Sequence, residues 1–312
     1  MNVLVTGATG FIGRFLVRRL VKENYKVYSL IRNEERAKKI LPEDTNIIKA
    51  DITDFDSLKK LLNLKIDILF HCAAYVKNKN RRLLLKVNVE GTENIFKIAT
   101  KLNPERIVYL SSVAVVSGNK NVPLEENLPY KASNIYGESK IEAEKIALKY
   151  RKKGLKTIIL RPPMVYGEEE PHAFRLICFL LKHRLFPLID EGRRKLHLVY
   201  VKNLIEACLF SLDKEEFLKD SYFVADNEVL SIKEVFTIIA EVLKAPPPFN
   251  IPNFLKPICI RLPFLGKKLR FFLKERIYKI DKIKSLGFKP PHSAYEALTT
   301  TAKYFKQKYR EK

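Results

Sequence analysis

A glycine-rich turn near the N-terminus constrains this chain more than any other feature of its sequence. The run VTGATGFIG, residues 5–13, directly follows an apolar strand pattern and opens an apolar-periodic helix pattern that extends to Lys22. Glycines at this spacing permit a tight turn, close approach of the backbone to a diphosphate, and close packing of helix on strand. The helix N-terminus would then present free N–H groups to that anion. The sequence therefore predicts a dinucleotide-phosphate site built from Gly7, Thr9, Gly10, Phe11, Ile12 and Gly13.

The alternation of strand and helix patterns continues to about residue 165. Short runs rich in β-branched residues occur at 26–31, 46–51, 66–74, 106–112 and 157–163, with helical patterns between them. Apolar strands that alternate with helices are typical of a parallel sheet covered on both faces. We therefore predict an α/β fold: a doubly wound, parallel-sheet Rossmann domain at 1–165 and a smaller, partly interleaved substrate lobe at 166–312. A segment around 195–228 is expected to return to the first domain.

The cysteines and the apolar runs define the expected compartment. Cys72, Cys178, Cys208 and Cys259 stand far apart and form neither a CxxC pair nor a Cys/His cluster, so we predict no disulfide framework and no metal site. The longest apolar stretches fall short of the roughly 20 residues that a membrane span requires. The chain opens on a strand pattern without a basic leader, and we therefore expect a cytoplasmic protein.

The net charge of +23 is concentrated toward the C-terminus, where residues 245–312 contain 16 Lys/Arg and 4 Asp/Glu. Such a surface could attract phosphate-bearing ligands, nucleic acid or an anionic membrane, whereas a lysine-rich bias of the whole proteome would explain it without a partner. Within it, the segment 254–280 mixes bulky apolar residues with basic ones. That mixture predicts a lid over a pocket, a dimer surface or a peripheral membrane contact.

The second strand pattern ends on a residue that bears on the choice of cofactor. A Rossmann site for NAD normally presents Asp or Glu here, to the hydroxyls of the adenine ribose, whereas this chain has Arg32. A guanidinium suits a 2′-phosphate better than a diol, so we predict NADP(H), with Glu34 and Glu35 keeping NAD as an alternative. Other residues at strand ends are expected to contact the cofactor: Asp51, Ile52, Cys72, Ala73 and Ala74.

The stretch NIYGESK places Tyr136 four residues before Lys140 at the start of a helical pattern. Residues at this spacing share one face of a helix. A nearby ammonium and a cationic oxidised nicotinamide would both favour the phenolate, so we predict that the pKa of Tyr136 is depressed from about 10. Such a phenol could act as a general acid or base.

Several motifs together resemble the extended short-chain dehydrogenase/reductase superfamily, in its NAD-dependent epimerase/dehydratase group. They are TGATGFIG at the start, HCAA at 71–74, VNVEGT at 87–92, YLSS at 109–112, YGESK at 136–140 and RPPMVYG at 161–167. The resemblance implies an NAD(P)-dependent oxidoreductase that transfers hydride at a carbonyl or secondary alcohol. It makes Tyr136 the catalytic acid/base and Lys140 its partner on the nicotinamide ribose.

The resemblance also implies a hydroxyl that binds the substrate oxygen, with Ser112 as the first choice and Ser111 as the second. The loop to Gly118 departs by one residue from the usual spacing, so the register of this hydroxyl stays open. Asn88 resembles an asparagine that bonds backbone near the active site. Pro162 and Pro163 would line the nicotinamide side, and a small-molecule substrate and a homodimer are also expected.

Three kinds of function compete. A sugar-nucleotide 4-epimerase or 4-ketoreductase would use Arg194 on the diphosphate, while VAVV at 113–116 lacks the carboxylates of a dehydratase. A reductase or dehydrogenase of an apolar ketone or alcohol fits Met164, which stands where sugar enzymes often have Asn, with Val76 as a further substrate contact. The third is a regulatory or RNA-binding protein that binds NADP(H) without turnover. The intact Tyr136/Lys140 pair disfavours this function, and we expect no nucleic-acid partner.

Overall fold

The computed structural model describes residues 1–252, 254–261 and 273–310. Seven strands form one parallel sheet, and the remaining six, each of two residues, pair outside it. In chain order the strands are β1 Asn2–Thr6, β2 Lys26–Ile31, β3 Asn46–Lys49, β4 Ile68–His71, β5 Arg106–Leu110, β6 Thr157–Arg161, β7 Val165–Tyr166, β8 Pro187–Leu188, β9 Lys195–Leu196, β10 Val199–Tyr200, β11 Ser221–Phe223, β12 Leu230–Ser231 and β13 Phe249–Asn250.

Helices cover both faces of this sheet. In chain order they are α1 Phe11–Lys22, α2 Glu34–Ile40, α3 Phe55–Leu58, α4 Arg81–Leu84, α5 Gly91–Leu102, α6 Ile135–Lys152, α7 Phe174–Lys182, α8 Val201–Phe210, α9 Ile232–Leu243, α10 Lys256–Arg261, α11 Asp281–Ser285 and α12 Ala294–Arg310. Between α4 and α5 the chain forms a π turn at Leu85–Glu90, and a 3₁₀ turn at Val113–Val116 follows β5.

The strand order of the sheet is β11-β6-β5-β4-β1-β2-β3. The order reverses between β1 and β4, and the carboxyl ends of parallel strands at such a switch point form the crevice in which α/β proteins bind ligands. The predicted α/β, parallel-sheet Rossmann fold is confirmed. No helix within the described ranges is both long enough and apolar enough to cross a bilayer.

Alternation along β1 shows how the sheet builds a core on each face. Val3 and Val5 belong to a buried cluster with α1 and α8, whereas Leu4 belongs to a second cluster with α5 and α6. A third cluster lies among α7, α9 and α12. Each face of the sheet is thus apolar and packs against its own set of helices. The crevice lies at the strand ends, between these two layers.

Candidate functional site

The turn between β1 and α1 requires glycine at two positions. Gly7 has φ +68°, and a Cβ there would lie 2.7 Å from the backbone of Ala73. A Cβ on Gly13 would lie 2.2 Å from the carbonyl oxygen of Gly7. Gly10 is the N-cap of α1 and has no side chain to occupy the first N–H groups of the helix. This cradle fits the diphosphate of a dinucleotide, with Thr9, Phe11 and Ile12 half-buried on the same turn.

Arginines surround the position expected for the adenosine end of the cofactor. Arg32 is exposed directly after β2. Arg36, one turn later on α2, donates a hydrogen bond to the carbonyl oxygen of Thr9 at 3.4 Å. Glu34 is paired with Lys38 at 2.9 Å. Arg36 was not predicted from the sequence, because Arg32 precedes α2 and only the fold brings Arg36 to the glycine turn.

The loops after β3 and β4 are held by internal hydrogen bonds. Oδ1 of Asp51 accepts from the N–H and the hydroxyl of Thr53, both at 2.9 Å. Ile52 is buried, and its side chain leaves no space for a Cβ on Gly91. The N–H of Ala73 donates to the hydroxyl of Thr6 at 3.3 Å. These contacts fix the loops on either side of the cofactor turn.

Asn88 ties the loop after β4 to helix α6. Its Oδ1 accepts from the N–H of Tyr75 at 2.7 Å, and its Nδ2 donates to the carbonyl of Tyr75 at 3.0 Å and to Ser139 Oγ at 2.9 Å. The residue is 1% exposed and lies in the π turn. The backbone contact expected of Asn88 is therefore present. Cys72 and Ala74 belong to the loop that it holds, and burial raises the pKa of the Cys72 thiol to about 12.

Two serines follow β5 and face different partners. The hydroxyl of Ser111 donates to the carboxylate of Glu144, inside the protein. Ser112 caps the 3₁₀ turn by accepting from the N–H of Ala114 at 3.1 Å, and its side chain lies close enough to the Tyr136 phenol to lower the pKa of that phenol. The N–H of Val113 donates to the carbonyl of Pro162 at 3.1 Å. Ser112 is thus the serine that meets the predicted phenol, and Pro162 and Pro163 are buried beside it.

Tyr136 lies in the first turn of α6, whose N-cap Asn134 accepts from the N–H of Gly137 at 2.9 Å. Burial raises the pKa of the Tyr136 phenol above its ordinary value, and the nearby Ser112 side chain lowers it. The chain's own groups therefore do not depress this pKa, and the depression that relies on the charge of the oxidised nicotinamide stays a prediction. The physical reason is that desolvation opposes the phenolate more strongly than the neighbouring groups favour it.

Lys140 lies one helical turn after Tyr136 and is 2% exposed. Its Nζ donates to the carbonyl oxygen of Leu110 at 2.7 Å and lies 4.5 Å from the centroid of the Tyr109 ring. Burial lowers the pKa of Lys140 to about 7, while Glu144 raises it. The ammonium is thus poised to titrate near neutrality, a property common at functional sites.

The predicted substrate contacts lie at the surface. Val76 is 47% exposed after β4, and Met164 is 45% exposed after β6. Arg194 is exposed just before β9, and its carbonyl oxygen accepts from the N–H of Ile232. Both apolar side chains follow strands of the central sheet at the crevice edge, whereas Arg194 precedes β9, which pairs with β12 outside that sheet.

Comparisons with known proteins agree with this geometry. The model of the NAD dependent epimerase/dehydratase family matches residues 3–225. The 3 beta-hydroxysteroid dehydrogenase/Delta 5-->4-isomerase of Mycobacterium tuberculosis (strain H37Rv) is 28% identical over 97% of this chain and 90% of its own length. The putative UDP-glucose 4-epimerase of Methanocaldococcus jannaschii is 29% identical over 99% of both chains.

Among solved structures, the UDP-glucuronic acid 4-epimerase from Bacillus cereus in complex with NAD matches with a TM-score of 0.80. It is 22% identical over 99% of this chain and 100% of its own, a level that supports the fold. The family match covers most of the 312 residues and includes the glycine turn, both serines, Tyr136 and Lys140. The chain therefore belongs to the NAD-dependent epimerase/dehydratase family and is an oxidoreductase of that family.

Proposed function

We propose that this protein transfers hydride between a nicotinamide cofactor and the carbon of a carbonyl or secondary alcohol, at a site formed by Ser112, Tyr136 and Lys140. The observation that carries the proposal is the convergence of Ser112 after β5 with Tyr136 and the buried Lys140 on one face of α6, where Lys140 Nζ bonds the carbonyl oxygen of Leu110. Three groups of the right chemistry meet where the strands end. A hydroxyl, a phenol and an ammonium can together bind an oxygen atom and move a proton to it.

The chain's own residues would act in a definite order during reduction. The hydroxyl of Ser112 donates a hydrogen bond to the carbonyl oxygen and holds it beside Tyr136. The phenol then gives its proton to that oxygen as the carbon is reduced, and takes it back during oxidation. Lys140, which is 2% exposed, stabilises the resulting phenolate by its charge. When bound on the glycine turn, the nicotinamide cofactor supplies or accepts the hydride.

The replacement of Tyr136 by Phe tests this function. We expect Tyr136→Phe to lower turnover by roughly 10²-fold or more, because no other group is placed to move the proton. Assays would follow the reduced nicotinamide with a 3β-hydroxysteroid and with UDP-glucose, supplied with NAD or NADP. Cofactor affinity should stay unchanged, and Tyr150→Phe, on the same helix but bonded to Glu93, is the matched control. Unchanged turnover in Tyr136→Phe would contradict the site.

For the cofactor we propose NADP(H) over NAD(H). Two guanidinium groups, those of Arg32 and Arg36, flank the end of β2, and the nearest carboxylate on α2 is paired with Lys38. A 2′-phosphate would gain charge-assisted hydrogen bonds from such a pair, whereas the bare ribose diol of NAD would gain less.

For the substrate we propose a bulky apolar ketone or secondary alcohol. Exposed Val76 and Met164 at the crevice edge support it, because an apolar substrate would cover both side chains. The similarity to a 3β-hydroxysteroid dehydrogenase supports the same class. A sugar nucleotide is the second candidate, supported by the exposed Arg194 and by the similarity to a putative UDP-glucose 4-epimerase. Thermal shifts with UDP-glucose and with the steroid separate the two, since a ligand stabilises the native state that binds it.

We also propose a peripheral membrane contact through the beginning of the basic segment 254–280. Phe254 and Ile258 are 75% and 60% exposed, and Lys256 and Arg261 lie among them on α10. Apolar and basic side chains together suit an anionic bilayer surface. Residues 262–272 of the segment lie outside the described residues. Flotation with anionic vesicles but not with neutral ones, and its loss in Phe254→Ser/Ile258→Ser, would support the contact; the homodimer and the cytoplasmic location stay predictions.

A further inference from the structure

A fully buried carboxylate lies one helical turn beyond Lys140. Glu144 is 0% exposed and accepts hydrogen bonds from Arg161 Nε at 3.0 Å, from the Tyr130 hydroxyl at 2.7 Å and from the Ser111 hydroxyl. The donors come from β6, from the loop before α6 and from the end of β5. Burying an ionised acid costs free energy unless it is paired and hydrogen-bonded. Here Arg161 provides the opposite charge, and the two hydroxyls provide further hydrogen bonds.

The Glu144 carboxylate is connected to the proposed site through Ser111. Ser111 precedes Ser112, and Lys140 Nζ bonds the carbonyl oxygen of Leu110, the last residue of the same strand. Glu144 therefore anchors the strand end on which both Ser112 and the Lys140 ammonium depend. Its place on α6 repeats the spacing of four residues that separates Tyr136 from Lys140.

The charges around Lys140 are few. From its own helix Glu144 acts on it, and from β5 it faces Tyr109. His71 and Cys72, at the end of β4, also interact with it. Burial lowers the pKa of His71 to about 3 and raises that of Cys72 to about 12, so both are uncharged at neutral pH.

Burial likewise raises the pKa of the Tyr109 and Tyr136 phenols and keeps them neutral. Arg161, from β6, contacts Glu144 through its guanidinium. The Glu144 carboxylate is thus the negative charge that opposes the desolvation of Lys140, which otherwise favours the neutral amine.

We propose that Glu144 is a positioning residue of the hydride-transfer site: it holds Ser111 and the end of β5, next to Ser112 and to the carbonyl oxygen that Lys140 bonds, and its charge acts on the Lys140 ammonium. The inference rests on the proposed function of Tyr136 and Lys140. A purely structural ion pair with Arg161 would stabilise the fold but would leave the titration of Lys140 unchanged. The titration of Lys140 therefore separates the two roles.

The test follows the charge of Lys140 by NMR in protein labelled with ¹³C at the lysine Cε, with the Lys140 signal assigned by its absence in Lys140→Met. In Glu144→Gln we expect the midpoint of the Lys140 titration to move to lower pH by about one unit or more, because an opposing charge has been removed. The basic limb of the kcat/KM profile should move in the same direction. Glu142→Gln, on the exposed face of α6 and paired with Lys145, should titrate as wild type.

Glu144→Gln leaves Arg161 without its counter-charge in the interior, which endangers the fold. The variant Glu144→Gln/Arg161→Met removes both charges, and its Lys140 midpoint should still lie below that of the wild type. A Lys140 titration equal to wild type in these variants would overturn the proposal. The NMR titration needs no substrate, so failure of the proposed function would show separately, as unchanged turnover in Tyr136→Phe.

Discussion

At the residue scale, Arg32 and Arg36 are the basis of the proposed preference for NADP(H). Arg32 is exposed after β2, and Arg36 is held toward the glycine turn by its bond to the carbonyl oxygen of Thr9. Arg32→Ala/Arg36→Ala should weaken NADPH binding by roughly 10- to 100-fold, because two charge-assisted contacts to the 2′-phosphate are lost. NADH binding should change by less than about threefold, since its diol gains little from a guanidinium.

Fluorescence titration of the reduced cofactors measures both affinities in the same samples. Lys39→Ala is the control, because Lys39 is an exposed cation of the same helix that has no part in the proposed contacts. Equal losses for NADPH and NADH, or tighter binding of NADH by the wild type, would show that these arginines do not select the cofactor.

The residues that could be predicted from the sequence are those whose partners are close along the chain. Tyr136 and Lys140 stand four residues apart on one helix, and the glycines of the phosphate turn lie within seven residues. Glu144 follows Lys140 at the same spacing, yet its role depends on Arg161 and Tyr130, which reach it only in the folded protein. The raised pKa of Tyr136 was missed for the same reason, because burial is a property of the packed core.

At the scale of the element, the β1–α1 turn should tolerate no side chain at position 13. A Cβ there would lie 2.2 Å from the Gly7 carbonyl oxygen, and the backbone must move to relieve the overlap. Gly13→Ala should therefore lower NADPH affinity at least about tenfold by displacing the cradle, and should lower the melting temperature as well.

Gly154→Ala is the control for this prediction. Gly154 has φ +99° but open space around its Cβ position, so an alanine there strains the backbone without touching the turn. Its melting temperature should fall while NADPH affinity stays at the wild-type value. Loss of affinity in both variants would mean that general destabilisation, rather than the shape of the cradle, explains the effect.

The sequence indicates that a helix is present more reliably than it indicates where that helix begins and ends. The sequence has a helical pattern over 171–184, but α7 is Phe174–Lys182, because the Glu170 carboxylate accepts from the N–H groups of His172, Ala173 and Phe174, each at 2.8 Å. The helical pattern of the sequence is continuous from Arg81 to Leu102, whereas the structure has a π turn at Leu85–Glu90, where Asn88 faces the loop after β4. π turns within helices are frequent at functional sites, and the apolar periodicity of the sequence does not predict them.

At the scale of the whole molecule, the parallel sheet could be predicted because each strand is followed by a helix. The pairing of β11 with β6 could not be predicted, since the strands between them in the chain pair outside the central sheet. The predicted division at residue 165, with a return around 195–228, stays a prediction. One buried carboxylate, Asp226, lies just after β11 and joins these parts of the chain.

Asp226 is 1% exposed and accepts three hydrogen bonds. The donors are the Tyr166 hydroxyl at 2.9 Å, the Tyr200 N–H at 2.9 Å and Asn203 Nδ2 at 2.8 Å. Burial raises the pKa of Asp226 to about 6, although these bonds lower it. The folded pKa thus exceeds the unfolded one, so the stabilising contribution is complete below about pH 4 and is lost as the pH rises through about 6.

This shift predicts a pH-dependent difference in stability between the wild type and Asp226→Asn, which cannot ionise at that position. From about pH 4.5 to about pH 7.5 the wild type should lose roughly 2 kcal/mol of unfolding free energy relative to the variant, because only the wild type must ionise a buried acid. Urea unfolding of both proteins at the two pH values measures it. Asp213→Asn, at an exposed site, should keep the same difference from wild type at both values. If the difference between wild type and Asp226→Asn is also the same at both pH values, the ionisation of Asp226 does not make the stability of the fold depend on pH.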